Sequence, residues 1–194
     1  MPDTPAGPVP GTPRALADAV RRGDHAAFEA IFRAHYDGLV RFANRLLLAR
    51  MEAEEVVQDV LLKVWTKREQ LDPGEDLKTY LYRATRNQAL NQLRRRRVER
   101  LFRRTRPADE PEAPPPPPAG ASQEATELAV AIAAAVEALP DRCREVFVLS
   151  REHGLTYSAI AATMGISVKT VETQMGRAFR SLRAALGPFR ERNQ

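Results

Sequence analysis

Residues 169–180 hold side chains suited to reading a nucleic acid. At about 100° per helical residue, Lys169, Thr173, Gly176 and Arg180 fall on one face, flanked by Glu172 and Arg177. Arginine can bind a base edge bidentately, threonine and glutamate can exchange single hydrogen bonds with bases, and glycine lets the backbone come close. Val171, Met175, Ala178, Leu182 and Leu186 make an apolar stripe on the opposite side that must face a core. The plainer reading is a solvated face on an ordinary bundle helix, and it stays open for Glu172 taken alone.

The preceding residues supply what such a helix needs for its placement. Thr156 can cap a short helix over Tyr157–Thr163, with Ile160 and Ala161 facing inward. Gly165 provides the permissive backbone of a tight inter-helix turn, and Ser167 is a good N-cap for the second helix. This is a helix-turn-helix pattern, and a helix held at that angle can enter a DNA major groove.

A second concentration of chemistry lies upstream. Arg83, Arg86 and Asn87 are followed by Arg94–Arg97, Arg100, Arg103, Arg104 and Arg106, with Glu99 the only acid among the latter. Guanidinium at that density suits phosphate, with a solvated tail as the alternative. The helix carrying them is expected to start near Leu77, after a loop at Glu69–Asp76. Leu77, Tyr80, Leu81 and Ala84 mark one face, and Ala89, Leu90 and Leu93 fall on roughly the other, so a simple amphipathic helix is not expected: either the helix is buried on different sides along its length, or part of one side is apolar for a ligand.

Before that loop, Ala53, Val56, Val57, Val60, Leu61, Val64 and Trp65 follow helical spacing without a miss. The other face of this segment carries Glu52, Glu54, Glu55, Gln58 and Asp59, with Lys63 at its end. Acids early and bases late also suit the helix macrodipole, which explains the charge pattern without any partner. Trp65 continues the apolar stripe and reads as core. Further upstream, Ala15–Arg22 reads as a short helix ended by Gly23. Asp24 caps a long helix from His25 to Leu48, with Phe28, Ile31, Phe32, Leu39, Phe42, Ala43 and Leu46 inward.

Strand signals are absent, and the segment PADEPEAPPPPPAGASQ at 107–123 disfavours helix. The expected fold is all-α: a disordered tail over 1–13, a helical bundle over 14–104, a proline-rich acidic linker over 105–123, and a helix-turn-helix domain over 124–190. With 194 residues, 43% of them hydrophobic, each half can bury a core. The net charge of +5 is compatible with a nucleic-acid partner without proving one.

Other chemistries find little support. Cys143 is the only cysteine, which excludes an intrachain disulfide and fits a reducing cytosol, and its place in DRCREVFVL suggests a partly packed thiol. His25, His35 and His153 lack metal-ligand spacing with it, and no phosphate-binding glycine motif occurs. No metal, no cofactor and no enzymatic activity are expected. The start, MPDTPAGPVPGTP, lacks the apolar core of a signal peptide, and LAVAIAAAVEAL is too short to span a bilayer, so a cytoplasmic protein is expected.

Three segments in order resemble the group IV, extracytoplasmic-function sigma factors of bacterial RNA polymerase. AEEVVQDVLLKVW at 53–65 is similar to the family's second region, and LKTYLYRATRNQALNQLRRRR at 77–97 to its promoter-melting helix. LPDRCREVFVLSREHGLTYSAIAATMGISVKTVETQMGRAFRSLR at 139–183 is similar to its fourth region. The resemblance implies a non-enzymatic initiation factor whose partners are core polymerase (β′ clamp and β flap), promoter DNA as duplex and non-template single strand, and an anti-sigma factor. It places Glu54, Glu55, Gln58, Asp59 and Leu62 on the polymerase. Tyr80, Arg83, Arg86, Asn87, Asn91, Arg94 and Arg95 would lie at the -10 element, where the loop at Glu69–Asp76 receives a flipped base. Lys169, Thr170, Glu172, Thr173, Gly176, Arg177 and Arg180 would lie at the -35 element, with Lys169 and Arg180 on phosphates.

About twenty extended residues of linker reach roughly 60 Å, comparable to a promoter spacer of about 17 base pairs. Asp109, Glu110 and Glu112 are candidates for a basic channel in the polymerase. A stand-alone helix-turn-helix regulator is the rival reading, and a helical adaptor with incidental arginines is a second.

Overall fold

The computed structural model describes residues 13–72, 74–102 and 123–191. The tail over 1–12, most of the linker (with Asp109, Glu110 and Glu112) and Arg103, Arg104 and Arg106 lie outside the described residues, as does the side chain of Arg100. Every regular element among the described residues is helical, as the sequence predicts, and they fall into two compact units.

The first unit contains α1 (Pro13–Arg21), α2 (His25–Leu47), α3 (Arg50–Thr66), a 3-10 turn at Arg68–Gln70, and α4 (Leu77–Phe102). Helix α1 begins two residues earlier than expected, because proline is well tolerated in a first helical turn. Asp24 caps α2 as anticipated, its carboxylate accepting from the amides of Ala26 and Ala27 at 2.9 and 3.2 Å. Val56, Val57, Val60, Leu61 and Val64 of α3 are buried against Ile31, Leu39, Phe42, Ala43 and Leu47 of α2.

Two expectations need correction here, and a third, for helix α4, is borne out. Phe32 is exposed, stacked on Tyr36 with ring centroids 4.8 Å apart. Leu46 is only half-buried, and Leu47 beside it takes the core position. Helix α4 buries a stripe that winds around its axis: Leu77, Leu81, Thr85 and Ala89 recur every four residues, with Tyr82 beside them. Each step turns about 40°, so the buried side shifts by about 120° from Leu77 to Ala89. Thr85 closes the apparent gap in that stripe. Tyr80, Ala84, Leu90 and Leu93 are half-buried.

The second unit contains α5 (Gln123–Glu137), α6 (Asp141–Arg151), α7 (Tyr157–Met164) and α8 (Val168–Glu191). Val171, Met175, Ala178 and Leu182 of α8 are buried, as their spacing requires, and Leu186 is partly buried. They pack with Ala135, Val136, Leu139, Cys143 and Val148. The turn follows its sequence closely. Thr156 Oγ accepts from the Ala159 amide at 3.2 Å, Ser167 Oγ accepts from the Thr170 amide at 3.1 Å, and Gly165 adopts a left-handed φ of 66°. An added Cβ at Gly165 would touch nothing within 4 Å, so backbone conformation alone favours glycine there.

Candidate nucleic-acid and protein-binding surfaces

On α8, burial of the apolar stripe turns Lys169, Glu172, Thr173, Gly176, Arg177 and Arg180 outward, and all six are exposed. Lys169 pairs with Glu172 at 3.2 Å, and Thr173 Oγ donates to the Lys169 carbonyl at 2.9 Å. Arg177 and Arg180 have no ion pair among the described residues. Thr170 is placed differently from the rest: half-buried, it shares a 2.8 Å hydrogen bond with Ser167 and belongs to the helix cap.

Gly176 sits mid-helix with a negative φ, and an added Cβ would meet nothing within 4 Å. Neither the fold nor the backbone therefore calls for glycine, which costs about 0.5–1 kcal/mol relative to alanine inside a helix. Its smoothness is available to something outside the chain.

Beside this face runs an open groove of about 600 Å³ whose lining includes Arg142, Cys143, Gln174, Arg177, Arg180 and Ser181. The buried Cys143 thiol donates to Gln174 Oε1 at 2.9 Å, fixing the packed role expected of it. Arg142, at the start of α6, had no sequence signal of its own. It becomes a candidate because the fold sets an exposed guanidinium across the groove from Arg177 and Arg180.

In the first unit, the outer side of α3 exposes Glu55, Gln58, Asp59 and Leu62. Glu55 and Gln58 have no hydrogen-bond partner among the described residues. Asp59 accepts from Gln88 of α4 at 3.4 Å, and Glu54 is paired with Arg50 at 3.0 Å. Glu52 turns instead toward α4, where it binds Arg96 and accepts from Gln92 at 2.6 Å.

Helix α4 divides its polar residues between two tasks. Tyr80, Arg83, Asn87, Asn91 and Arg94 fall within about 80° of one another on the side away from the buried stripe. Arg83 is anchored to the loop by Glu75 at 2.6 Å, with its guanidinium 5.7 Å from the Tyr80 ring centroid. Asn87 is exposed and has no internal hydrogen-bond partner among the described residues, whereas Asn91 accepts from Arg94 at 3.2 Å. Arg95 is exposed at the other edge of the helix, and Arg86 is half-buried and internally engaged. Arg96, grouped by sequence with the phosphate-binding arginines, is spent inside the fold on Glu52 and the Leu47 carbonyl.

The loop before α4 is ordered by its own acids. Asp72 accepts from the Gly74 amide at 2.8 Å, and Asp76 accepts from the amide and hydroxyl of Thr79 at 2.9 and 2.8 Å. His35 lies near this junction, its pKa lowered first by burial and then by Lys78, against an opposing pull from Asp76. Trp65 is a half-buried packing residue. Its ring lies 4.4 Å from His25 and 5.1 Å from Phe28, and the Arg68 guanidinium stands 4.7 Å from its centroid.

No helix among the described residues is long and apolar enough to cross a membrane, and no group of three or more metal-ligating side chains occurs among them. Residues 31–99 match the family description Sigma-70 region 2, and residues 129–182 match Sigma-70, region 4. The chain is 31% identical over 181 residues to ECF RNA polymerase sigma factor SigE of Mycolicibacterium smegmatis, covering 89% of this chain and 66% of that relative. It is 30% identical over 178 residues to RNA polymerase sigma factor CnrH of Cupriavidus metallidurans, covering 89% of this chain and 93% of the relative. Among solved structures, the sigma factor RpoE bound to the anti-sigma factor NepR, from Bartonella quintana, aligns with a TM-score of 0.67 at 26% identity. That alignment covers 82% of this chain and 96% of RpoE.

Proposed function

The chain belongs to the extracytoplasmic-function sigma factors, promoter-directing initiation factors of RNA polymerase, and from that premise we propose that its two units read two promoter elements for a bound core enzyme. The α3 face of Glu55, Gln58, Asp59 and Leu62 docks on the β′ clamp, and the second unit engages the β flap. The outer face of α4, with Tyr80, Arg83, Asn87, Asn91 and Arg94, receives the -10 element, and Arg95 reaches its phosphates from the other edge of the helix. The exposed face of α8, with Glu172, Thr173, Gly176 and Arg177, enters the major groove at the -35 element. Lys169, Arg180 and Arg142 hold phosphates, and Thr170 contributes by capping the reading helix.

Strand opening in this scheme needs no nucleotide hydrolysis. Unstacking a base costs a few kcal/mol, which stacking and edge hydrogen bonds in a pocket can offset. Asp72 and Asp76 support that role by bracing the loop from within, and Glu75 by fixing Arg83 beside Tyr80. The factor is expected in the cytoplasm, where an anti-sigma protein binds it, as NepR is bound to its structural relative RpoE.

The observation that carries the reading is that Glu55 and Gln58 on one unit, and Arg177 and Arg180 on the other, are exposed without partners among the described residues. A gel shift on duplex promoter DNA, with and without core polymerase, tests it. Specific binding only in the presence of core enzyme is the expected result. Equally tight specific binding by the chain alone would favour the stand-alone regulator.

A further inference from the structure

We infer that Leu48 and Met51 form an apolar anchor that extends the polymerase-docking face of α3 toward the α2–α3 corner. The inference rests on the docking role proposed for α3 and adds an apolar site to it. Met51 is 85% exposed and Leu62 is 61% exposed. At about 100° per residue, Met51, Glu55, Gln58 and Leu62 lie within a sector of about 60°, so they form one stripe along the helix. The stripe is therefore acidic and polar in the middle and apolar at both ends.

Leu48 stands at the end nearer Met51. It is 59% exposed and, among the described residues, is the only non-glycine with positive φ, at 53°. Its amide donates to the Asn44 carbonyl at 2.8 Å, closing the last turn of α2. Glycine or asparagine adopts that left-handed closing position more easily, because a Cβ crowds the following carbonyl. The fold thus gains nothing evident from leucine there: the backbone is strained and the side chain is in water. Strain kept at an exposed position points to a use outside the chain.

Continuity selects the occupant. Met51 shares the stripe of Glu55 and Gln58, so whatever sits on those residues reaches it within one further helical turn, and Leu48 lies three residues before it at the α2–α3 corner. A basic helical segment of core polymerase with an apolar residue near its end fits this order of chemistry. A small apolar cluster inside a polar rim is also how docking surfaces concentrate their affinity.

The test uses the full chain and core RNA polymerase. Affinity is read by titrating labelled protein, fold stability by thermal melting, and self-association by sedimentation. Leu48→Gly is expected to leave Tm unchanged or raise it by up to about 5 °C, while weakening polymerase binding about fivefold. Met51→Ser is expected to leave Tm unchanged, and the double variant to weaken binding more than about tenfold. Binding unchanged in the double variant overturns the inference, and so does a lowered Tm with Leu48→Gly. Reduced self-association at unchanged polymerase affinity also overturns it, by assigning the stripe to a second copy.

Glu55→Lys with Asp59→Lys is the control. Loss of binding there without loss from the apolar variants removes the anchor and leaves the proposed function standing. No loss from the acid reversals removes both.

Discussion

Glu52 of α3 holds the guanidinium of Arg96 on α4, and that same guanidinium donates to the Leu47 carbonyl at 3.2 Å. One ion pair thereby ties the α2–α3 corner, next to the face proposed to dock on polymerase, to the arginine-rich end of the helix proposed to face DNA. Both side chains are less than a third exposed, so the pair is better shielded than an ordinary surface ion pair. Its consequence is a division of labour within a run of four arginines.

Arg96→Met should therefore destabilise the first unit by about 1–2 kcal/mol while barely changing the salt dependence of DNA binding. Arg94→Met and Arg95→Met should do the reverse. Each should reduce the slope of log affinity against log salt by roughly 0.7–0.9 without a measurable change in Tm. Salt titrations of the polymerase-bound complex, alongside melting curves, distinguish the two classes. An equal loss of slope in all three variants would mean that Arg96 also reaches phosphate.

Gly176→Ala separates fold from function in the second unit. Helix α8 should become about 0.5–1 kcal/mol more stable, because glycine is unfavourable in a helix interior and the added methyl meets open space. Promoter binding by the holoenzyme should weaken, because the methyl stands where the backbone is expected to approach the groove. Denaturant melts and holoenzyme gel shifts check the two halves. A stabilised variant with unaltered promoter affinity would take Gly176 out of the interface.

The helices were legible in the sequence wherever apolar spacing and caps agreed. Val56, Val57, Val60, Leu61 and Val64 fix the inner face of α3, and Asp24, Thr156, Gly165 and Ser167 fix helix ends at the expected positions. The shift of the buried side along α4 was legible from Leu77, Leu81 and Ala89, but Thr85, a polar residue type that fills the step between Leu81 and Ala89, was not. Phe32 was misread because an aromatic at helical spacing need not point inward when a neighbour such as Tyr36 can cover one side of it. Sequence also could not sort Arg94, Arg95 and Arg96 by task, since the partners of Arg96 lie more than forty residues away. Arg142 was invisible for a similar reason: its significance comes from α8 lying across the groove.

Tyr82 should make the first unit sensitive to alkali. Burial pushes its pKa from 10.0 up to about 12, against a smaller opposing effect of Arg41. The folded chain therefore keeps the phenol protonated where the unfolded chain loses the proton. The stability it contributes is fully present below pH 10 and is lost as pH rises from there toward 12. The loss should amount to roughly 2 kcal/mol by the upper end of that range. Melting curves of Tyr82→Phe should show a shallower decline over the same pH interval, and parallel declines would contradict the assignment.

The most direct test of the whole account is reconstituted transcription. Purified full chain and core RNA polymerase are combined on a library of genomic fragments from the source organism, and transcript starts are mapped. Transcripts should begin downstream of a shared pair of sequence elements, vanish without the chain, and fall at least about tenfold with Glu55→Lys and Asp59→Lys together. Starts that do not depend on the chain, or that persist undiminished with both charges reversed, would contradict it.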